Sequence, residues 1–206
     1  MRLIHSTLFL TTALALAACS KPAEPEATAP AATAPAAGTE APPMAPAGTA
    51  APAASGTAKA TLKATEGNAV AGELSFMTMD NMVHVTGNIT GLAPNSKHGF
   101  HIHEKGDCSA PDGSSAGGHF NPATTDHGQV SAEPHHGGDM DNVTADAEGK
   151  ATVDGMLSSN VNIGKGDAFD IVGKGLIVHA DPDDYKTQPT GNAGGRLACA
   201  VIEAVK

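Results

Sequence analysis

The chain has 206 residues, of which 40% are hydrophobic, and this length suits one ordinary globular domain with additional segments. Its formal charge of -10, with no Trp and a single Tyr, argues against a nucleic-acid partner, which requires basic surfaces and aromatic faces. The same charge disfavours direct binding to an anionic membrane. Ten His stand against only three Cys, so the positions of the histidines carry most of the information.

The N-terminal 19 residues have the features of a targeting segment. Arg2 precedes an apolar run at 8–16, which is too short to span a bilayer as a mature helix. The sequence LAAC at 16–19 resembles a bacterial lipobox, in which Cys19 becomes the acylated first residue; ordinary cleavage near Ala18 is the alternative. Because Ser20 follows the cysteine, sorting rules favour the outer membrane. We expect a cell-envelope protein, periplasmic or outer-membrane facing, that contacts the membrane through its N-terminal lipid only.

The segment 20–57 consists mainly of Ala, Pro, Thr and Gly and contains eight of the 14 prolines. Such a composition offers too little apolar surface to offset the entropy of ordering the chain. The pattern predicts a disordered tether between the lipid and a folded domain at 58–206.

From residue 58 the chain shows short runs with period-two alternation, separated by Gly, Asn and Asp clusters. The runs predict eight strands, at 58–65, 70–78, 82–90, 99–104, 142–147, 151–157, 168–172 and 176–179, with a hairpin turn at 146–149. Without a convincing amphipathic helix, the pattern favours an all-β domain, either an antiparallel sandwich or a flattened Greek-key barrel. The stretch 105–141 lacks strand character and is predicted to be a functional loop.

The histidines lie on a strand and in this loop. His101 and His103 flank Ile102, so period two directs both imidazoles to one face, although one such pair fits an ordinary polar face equally well. The loop and the last predicted strand add His119, His127, His136, Asp139 and His179. Imidazole suits copper and zinc, and three imidazoles with one carboxylate suit tetrahedral zinc, whereas magnesium or calcium would require more oxygen ligands.

Three motifs resemble the copper/zinc superoxide dismutase family in sequence and in order, namely GFHIHE at 99–104, GHFNP at 118–122 and GNAGGRLAC at 191–199. The resemblance runs from about residue 58 to the end of the chain. It implies an eight-stranded, immunoglobulin-like Greek-key barrel with long metal-binding loops, one copper and one zinc ion per subunit, and superoxide as a small anionic substrate. Family members occur as monomers and as dimers, so the resemblance allows a homodimer as one oligomeric state.

The resemblance also implies a ligand set for each metal. The copper ligands would be His101, His103, His119 and His179, and the zinc ligands His119, His127, His136 and Asp139. His119 would therefore bridge both ions through its two ring nitrogens. We place His135 outside the site because only His136 stands three residues before Asp139, and an exchange of the two histidines is left open.

Further roles follow from the same resemblance. Asp183 would hydrogen-bond one copper and one zinc histidine from outside, with a plain turn residue as the alternative, while Asp184 is the turn residue. Arg196 would attract and orient the anion beside copper, a surface cation being the alternative. His98 would pack near the copper strand, and His84 corresponds to no family position. For both we expect structural roles only.

With Cys19 acylated, two cysteines remain. Cys108 and Cys199 lie where the family has its intrasubunit disulfide, which in the family ties the metal loop to the last strand of the barrel. A free buried pair is the alternative.

Two departures from the family pattern affect the rim of the site. Extra residues lie at 109–114, and the stretch between His179 and Arg196 is shorter than in the familiar eukaryotic enzymes, so the resemblance does not carry over the usual steering lysines. Lys186 is the candidate replacement. From residue 58 onward, 10 Lys and Arg stand against 19 Asp and Glu, so a local field must draw in the anion.

The implied reaction is disproportionation of superoxide to dioxygen and hydrogen peroxide, by a copper redox cycle with a zinc-supported bridging histidine. This activity would protect the cell envelope from oxidative damage. One alternative is a copper- and zinc-binding envelope lipoprotein that stores metal without turnover; loss of a copper histidine or of Arg196 would indicate it, and neither is missing. A third interpretation is a structural surface protein whose metals only stabilise the fold.

Overall fold

The structure, a computed structural model, describes residues 56–205. The signal segment with Cys19 and nearly all of the tether lie outside the described residues, and what was expected of them stays a prediction. The strands are β1 (Thr57–Ala64), β2 (Ala71–Met79), β3 (Met82–Thr90), β4 (Lys97–His98), β5 (Phe100–His103), β6 (Val143–Thr144), β7 (Ala151–Met156), β8 (Gly175–His179), β9 (Arg196–Val201) and β10 (Glu203–Ala204). Within residues 56–205 the helical element is a 3-10 turn at Ser114–Ala116, and no helix there has the length and apolarity to cross a membrane.

One antiparallel sheet contains most of the strands, in the order β5-β8-β9-β1-β2-β3-β7, with β10 paired to β1. β1 pairs with β2 along most of its length but with β9 at Lys63 and Ala64, so the sheet curls around a core. A second sheet pairs β4 with β6. One residue separates β4 from β5 and one separates β9 from β10, and with each pair taken as one bent strand the count is eight. The predicted antiparallel Greek-key fold class is confirmed.

The core forms on one face of this sheet. In β1 the side chains of Ala58, Ala60 and Leu62 are buried while those between them are exposed, as period-two alternation requires. β5 and β8 differ because every residue in both strands is buried. Their second face is covered by the loop 105–141, whose Gly138 carbonyl accepts a 2.9 Å hydrogen bond from Ile102 N–H. Histidines placed on that second face are therefore shielded from solvent.

The strand prediction for 168–172 is wrong. Residues 168–172 form turns, because the Asp170 carboxylate accepts hydrogen bonds from the amides of Gly164, Gly166 and Val172 at 2.9, 2.7 and 2.9 Å. Such local bonds compete with strand pairing. Conversely, β9 was not among the predicted strands, because its alanines have little strand preference. This strand forms through its pairing with β8 and β1, which local sequence does not reveal.

The prediction for 142–147 is only partly right, because Val143–Thr144 alone is strand. The turn at 146–149 is present, with Gly149 N–H donating to the Asp146 carbonyl at 3.1 Å. It does not close a hairpin, since β6 pairs with β4 and β7 pairs with β3.

Candidate metal centre

Strand register brings three histidines together at one end of the sheet. In β5, Phe100 and Ile102 enter the hydrophobic core, so His101 and His103 face the opposite side, as predicted. β8 lies antiparallel to β5 and ends at His179, whose amide donates to the Gly99 carbonyl at 2.8 Å. His179 therefore lies beside the start of β5.

The long loop delivers His119 to the same place by extending the backbone pairing of β5. His119 forms a bridge with His103, flanked by hydrogen bonds from Glu104 N–H to Gly118 O at 2.9 Å and from Phe120 N–H to Ile102 O at 2.8 Å. Gly138 N–H in turn donates to Phe120 O at 2.8 Å. The loop thus runs as an irregular ladder beside β5, which fixes where its ligand-type side chains lie.

The first cluster contains four buried imidazoles, those of His101, His103, His119 and His179, with one ligand atom of each within 4.8 Å of the others. One nitrogen of each ring faces a protein oxygen. His103 Nδ1 lies 2.9 Å from Gly117 O, His179 Nδ1 lies 3.4 Å from Gly194 O, and His101 Nε2 lies 2.8 Å from Asp183. The second nitrogen of each ring is then left for a shared ligand.

The second cluster consists of His119, His127, His136 and Asp139, again within 4.8 Å of one another. Asp139 Oδ1 lies 2.9, 3.0 and 3.4 Å from the Nδ1 atoms of His119, His127 and His136, and the last of these lies 3.4 Å from His119 Nδ1. Asp139 Oδ2 is held by the amides of Gly128 and His136 at 3.1 and 2.8 Å.

These atoms fit the two metals by two criteria. Four ligands about 2.0–2.1 Å from a tetrahedral zinc ion are about 3.3 Å apart, close to the contacts around Asp139 Oδ1. On the other side, His101 Nδ1 and His119 Nε2 are buried and find no hydrogen-bond partner within residues 56–205. Buried polar atoms without a partner are costly, and a metal ion that accepts their lone pairs removes that cost. The donor sets therefore suit copper on one side of His119 and zinc on the other.

The protonation states of three imidazoles in the first cluster favour metal binding. Burial lowers the pKa of His119 to about 4 despite its contact with Asp139, and burial with repulsion from His101 lowers the pKa of His179 to about 3. The pKa of His103 is lowered by burial and by repulsion from His119 and His179. These rings are therefore neutral at pH 7, as metal ligands must be.

The carboxylate side behaves differently. Burial alone would lower the pKa of His127, but hydrogen bonds to Asp139 and Asp183 raise it to about 9. Burial would raise the pKa values of both carboxyl groups, yet hydrogen bonds from histidines hold them well below their ordinary range. Two buried carboxylates thus place negative charge where a dication would be stabilised.

Asp183 lies between the two clusters. Its Oδ2 is 2.8 Å from His101 Nε2 and its Oδ1 is 3.0 Å from His127 Nε2, so one buried carboxylate contacts a histidine of each group. Tyr185 N–H also donates to Oδ1 at 2.7 Å. The position agrees with the role that the sequence resemblance implied, whereas Asp184 is exposed and accepts hydrogen bonds from the Lys186 and Thr187 amides within its own turn.

Arg196 lies at the edge of the four-imidazole cluster. Its two terminal nitrogens donate to Gly113 O at 2.7 Å and Gly117 O at 2.6 Å, and Gly117 O also accepts from His103 Nδ1. A shared acceptor places the guanidinium beside the His103 ring. Burial lowers the pKa of Arg196, with Asp112 opposing, yet a guanidinium is always protonated at neutral pH and the group stays cationic. Gly113 belongs to the extra residues 109–114, which therefore help to hold the cation.

The predicted disulfide between Cys108 and Cys199 is present, with Cα atoms 5.8 Å apart. It joins the metal loop to β9, and Cys199 packs with Ala116 and Ile177 in a small buried cluster. The loop that carries the Arg196 acceptors is thus tied to the strand that carries Arg196.

The other three histidines of residues 56–205, namely His84, His98 and His135, lie outside both clusters. His135 Nδ1 is 2.8 Å from the backbone carbonyl of His136, and His98 bridges Ser96 Oγ at 2.6 Å and the His179 carbonyl at 2.8 Å. His84 is on β3, where it contacts Asp154. Lys186 is exposed, and its steering role stays a prediction.

Sequence reasoning missed two residues that support the ligands. Gln188 holds the His127 backbone from both sides, accepting from its N–H at 2.8 Å and donating to its carbonyl at 2.9 Å. The Asn142 side chain holds the Asp183 backbone in the same way, accepting from its N–H at 2.8 Å and donating to its carbonyl at 2.9 Å. It also donates to Tyr185 OH at 2.9 Å. Their sequence separations of 61 and 41 residues leave no local signal by which to find them.

A single glycine makes room for the carboxylate that connects the clusters. Gly191 has φ +65, in the left-handed region, and a Cβ there would overlap Asp183 Oδ1 and lie 2.6 Å from His127 Nε2. Any other residue at 191 would separate Asp183 from His127.

An antiparallel barrel with two buried clusters that share one imidazole defines a class, the all-β proteins with a binuclear metal centre. The copper/zinc superoxide dismutase family model matches residues 70–202. Cu-Zn superoxide dismutase 2 of Aquifex aeolicus is 42% identical over 148 residues, covering 70% of this chain and 85% of that protein. The Cu-Zn superoxide dismutase of Caulobacter vibrioides is 40% identical over 151 residues, covering 71% and 85%.

A solved structure supports the same relationship. The crystal structure of the clock protein EA4 matches with a TM-score of 0.63 at 39% identity, covering 72% of this chain and 94% of that one. The chain belongs to the copper/zinc superoxide dismutase family. Membership confirms the expected superoxide-consuming oxidoreductase with one copper and one zinc ion, and it does not favour the storage alternative.

Proposed function

We propose that this chain disproportionates superoxide at a copper ion held by His101, His103, His119 and His179, beside a zinc ion held by His119, His127, His136 and Asp139. The observation that carries the assignment is the position of His119, whose Nδ1 faces Asp139 while its Nε2 is buried among the other imidazoles with no hydrogen-bond partner in residues 56–205. Two superoxide ions and two protons give one dioxygen and one hydrogen peroxide.

The metals supply what side chains cannot, because copper accepts and returns one electron while zinc adds fixed positive charge without redox change. The chain's own part begins with Arg196, whose guanidinium is fixed by Gly113 O and Gly117 O. A fixed cation beside His103 attracts and orients a small anion. The neighbouring neutral imidazoles add no competing negative charge.

His119 provides the proton-handling group. Its Nδ1 is held in the Asp139 cluster, so the Nε2 position is the one that can gain and lose a proton. A proton held there is one of the two that hydrogen peroxide needs. Asp183 keeps His101 and His127 oriented on either side of this ring, so that the proton position stays fixed.

Replacement of the shared ring tests the proposal. In His119→Ala we expect loss of superoxide consumption together with weaker retention of both metals, measured by pulse radiolysis and by elemental analysis after dialysis. His135→Gln is the matched control, since this neighbouring buried histidine lies outside both clusters. Full activity with both ions retained in His119→Ala would disprove the assignment, and one-to-one metal binding by the native chain without superoxide consumption would favour storage.

We also propose that the protein is anchored in the cell envelope through an acylated Cys19. The LAAC sequence at 16–19 supports the anchor, and a disulfide in the folded domain suits an oxidising compartment. Cys19→Ser should abolish labelling by radioactive palmitate and shift the protein from the membrane to the soluble fraction, whereas Ser20→Ala should not. Palmitate incorporation in Cys19→Ser would contradict the anchor.

A further inference from the structure

Methionine side chains are concentrated on the solvent face of β2, β3 and β7. Met77, Met79 and Met156 are 46%, 45% and 38% exposed, and with Val205 they are the exposed large hydrophobic side chains of residues 56–205. Methionine is usually buried, so three exposed thioethers on neighbouring strands require an explanation. The proposed metal centre does not use them.

The strand register aligns two of these methionines with a histidine. Met77 on β2 is directly opposite His84 on β3, and His84 is directly opposite Met156 on β7. Directly opposed residues point to the same face with Cβ atoms about 4.5–5.5 Å apart. Two sulfur atoms and one imidazole can therefore converge on a single ion. In the next row Met79 is opposite Met82, which extends the thioether surface.

The hydrogen bonding of His84 suits a ligand. Its Nε2 lies 2.6 Å from Asp154 Oδ1, and its Nδ1 makes no hydrogen bond to any residue in 56–205. A histidine that binds metal almost always donates its other ring N–H to an acceptor such as a carboxylate, which leaves the first nitrogen with a free lone pair. The His84 side chain is 20% exposed, so an ion in solution can reach it.

We propose that Met77, His84 and Met156 form a surface site for Cu(I), in which Asp154 orients the imidazole. Thioethers are soft ligands that select Cu(I), whereas magnesium and calcium require oxygen and zinc prefers thiolate, imidazole or carboxylate. The site is distinct from the metal centre, because His84 and Asp154 belong to neither ligand cluster. An apolar docking surface is the competing explanation, but a hydrogen-bonded His–Asp pair in its centre does not suit one.

The test uses the fully metallated full-length protein with 13C-labelled methionine methyl groups. Under anaerobic reducing conditions we expect one further equivalent of Cu(I) to bind in competition with bicinchoninate. The methyl signals of Met77 and Met156 should shift on binding, while that of Met140, which is buried in the core, should not. Absence of a further equivalent, or a shift at Met140 alone, would overturn the proposal.

Substitutions separate metal binding from apolar contact. Met77→Leu combined with Met156→Leu keeps the apolar surface but removes both sulfur atoms, so it should abolish the additional Cu(I) equivalent, as should His84→Ala. Asp154→Ala should weaken binding by about 10–100-fold, the usual effect of removing a partner of a ligating histidine. Asn88→Ala, on the same face of β3, is the matched control and should change nothing. Undiminished Cu(I) uptake in the double Leu variant would refute the site, and superoxide consumption should be equal in all these variants.

Discussion

Single atoms of the histidine rings decide what each cluster can bind. The carbonyls of Gly117 and Gly194 and the Asp183 carboxylate face one nitrogen of His103, His179 and His101, respectively, and so leave the other toward the centre. Period-two alternation predicted that His101 and His103 share a face. It could not predict which nitrogen is free, because that depends on acceptors more than ten residues away.

Replacement of the carboxylate that contacts both clusters should affect both metals at once. Asp183→Asn keeps the shape but removes the charge and turns one oxygen into a donor, so His101 and His127 cannot both keep an acceptor. We expect copper and zinc affinities to fall by about 10–100-fold, measured by competition with chelators. Asp184→Asn, one residue away and exposed, should leave both affinities unchanged. A loss confined to one metal would show that Asp183 orients one ring only.

The long loop and β9 act together because a disulfide and the Arg196 side chain both join them. Cys108 is bonded to Cys199, and Arg196 donates to Gly113 and Gly117 in the same loop. The loop has little regular structure of its own, so its position depends on these links and on its pairing with β5.

Removal of the disulfide should therefore lower stability and activity together. For Cys108→Ser with Cys199→Ser we expect the free energy of unfolding to fall by about 2–5 kcal/mol, because the bond closes a 91-residue separation in the unfolded chain. Denaturant unfolding measures this change. Ser109→Ala, in the same loop, is the control. If kcat/KM stays at the native value in the double variant, the disulfide does not position Arg196.

The elements that sequence reasoning predicted well are those whose side chains alternate strongly, such as β1, β2 and β3. Its errors have local causes, since the Asp170 carboxylate favours turns at 168–172 and the small residues of β9 carry little strand signal. The ligand-type residues could be identified because their motifs are distinctive. Gln188 and Asn142 could not, because they act through backbone contacts formed only when distant loops meet.

The molecule as a whole is acidic, yet the chemistry that we propose requires an anion to approach it. Its described part holds most of the 22 acidic residues of the chain. The cation at Arg196 must therefore draw in the anion through a local field, and salt screens such a field at distances beyond about 10 Å.

Catalysis should slow as ionic strength rises. For the native enzyme we expect kcat/KM to decrease steadily with added salt, and Arg196→Ala should reduce it by about tenfold or more at low salt and flatten the salt dependence. Lys186→Ala tests the predicted steering lysine and should give a smaller decrease, while Lys59→Ala, at an exposed position of β1, should have no effect. A rate that climbs with salt would exclude local steering.

The metal-free protein should be most stable near pH 6.5. Since the folded pKa values of His119 and His179 are about 4 and about 3, below the ordinary 6.5, the unfolded chain binds protons first as pH falls and stability drops from pH 6.5 downward. His127 acts in the opposite sense, because its stabilising charge is lost as pH rises toward about 9. Melting temperatures after chelation should show this maximum, with the steeper decline on the acid side. A melting temperature independent of pH between 4 and 6.5 would contradict the burial of neutral rings.

The imidazole common to both clusters makes the two proposed affinities reciprocal. If occupation of the Asp139 side strengthens retention of copper by some factor, occupation of the other side must strengthen retention of zinc by the same factor. A shortage of either element in the surroundings would then deplete the protein of both.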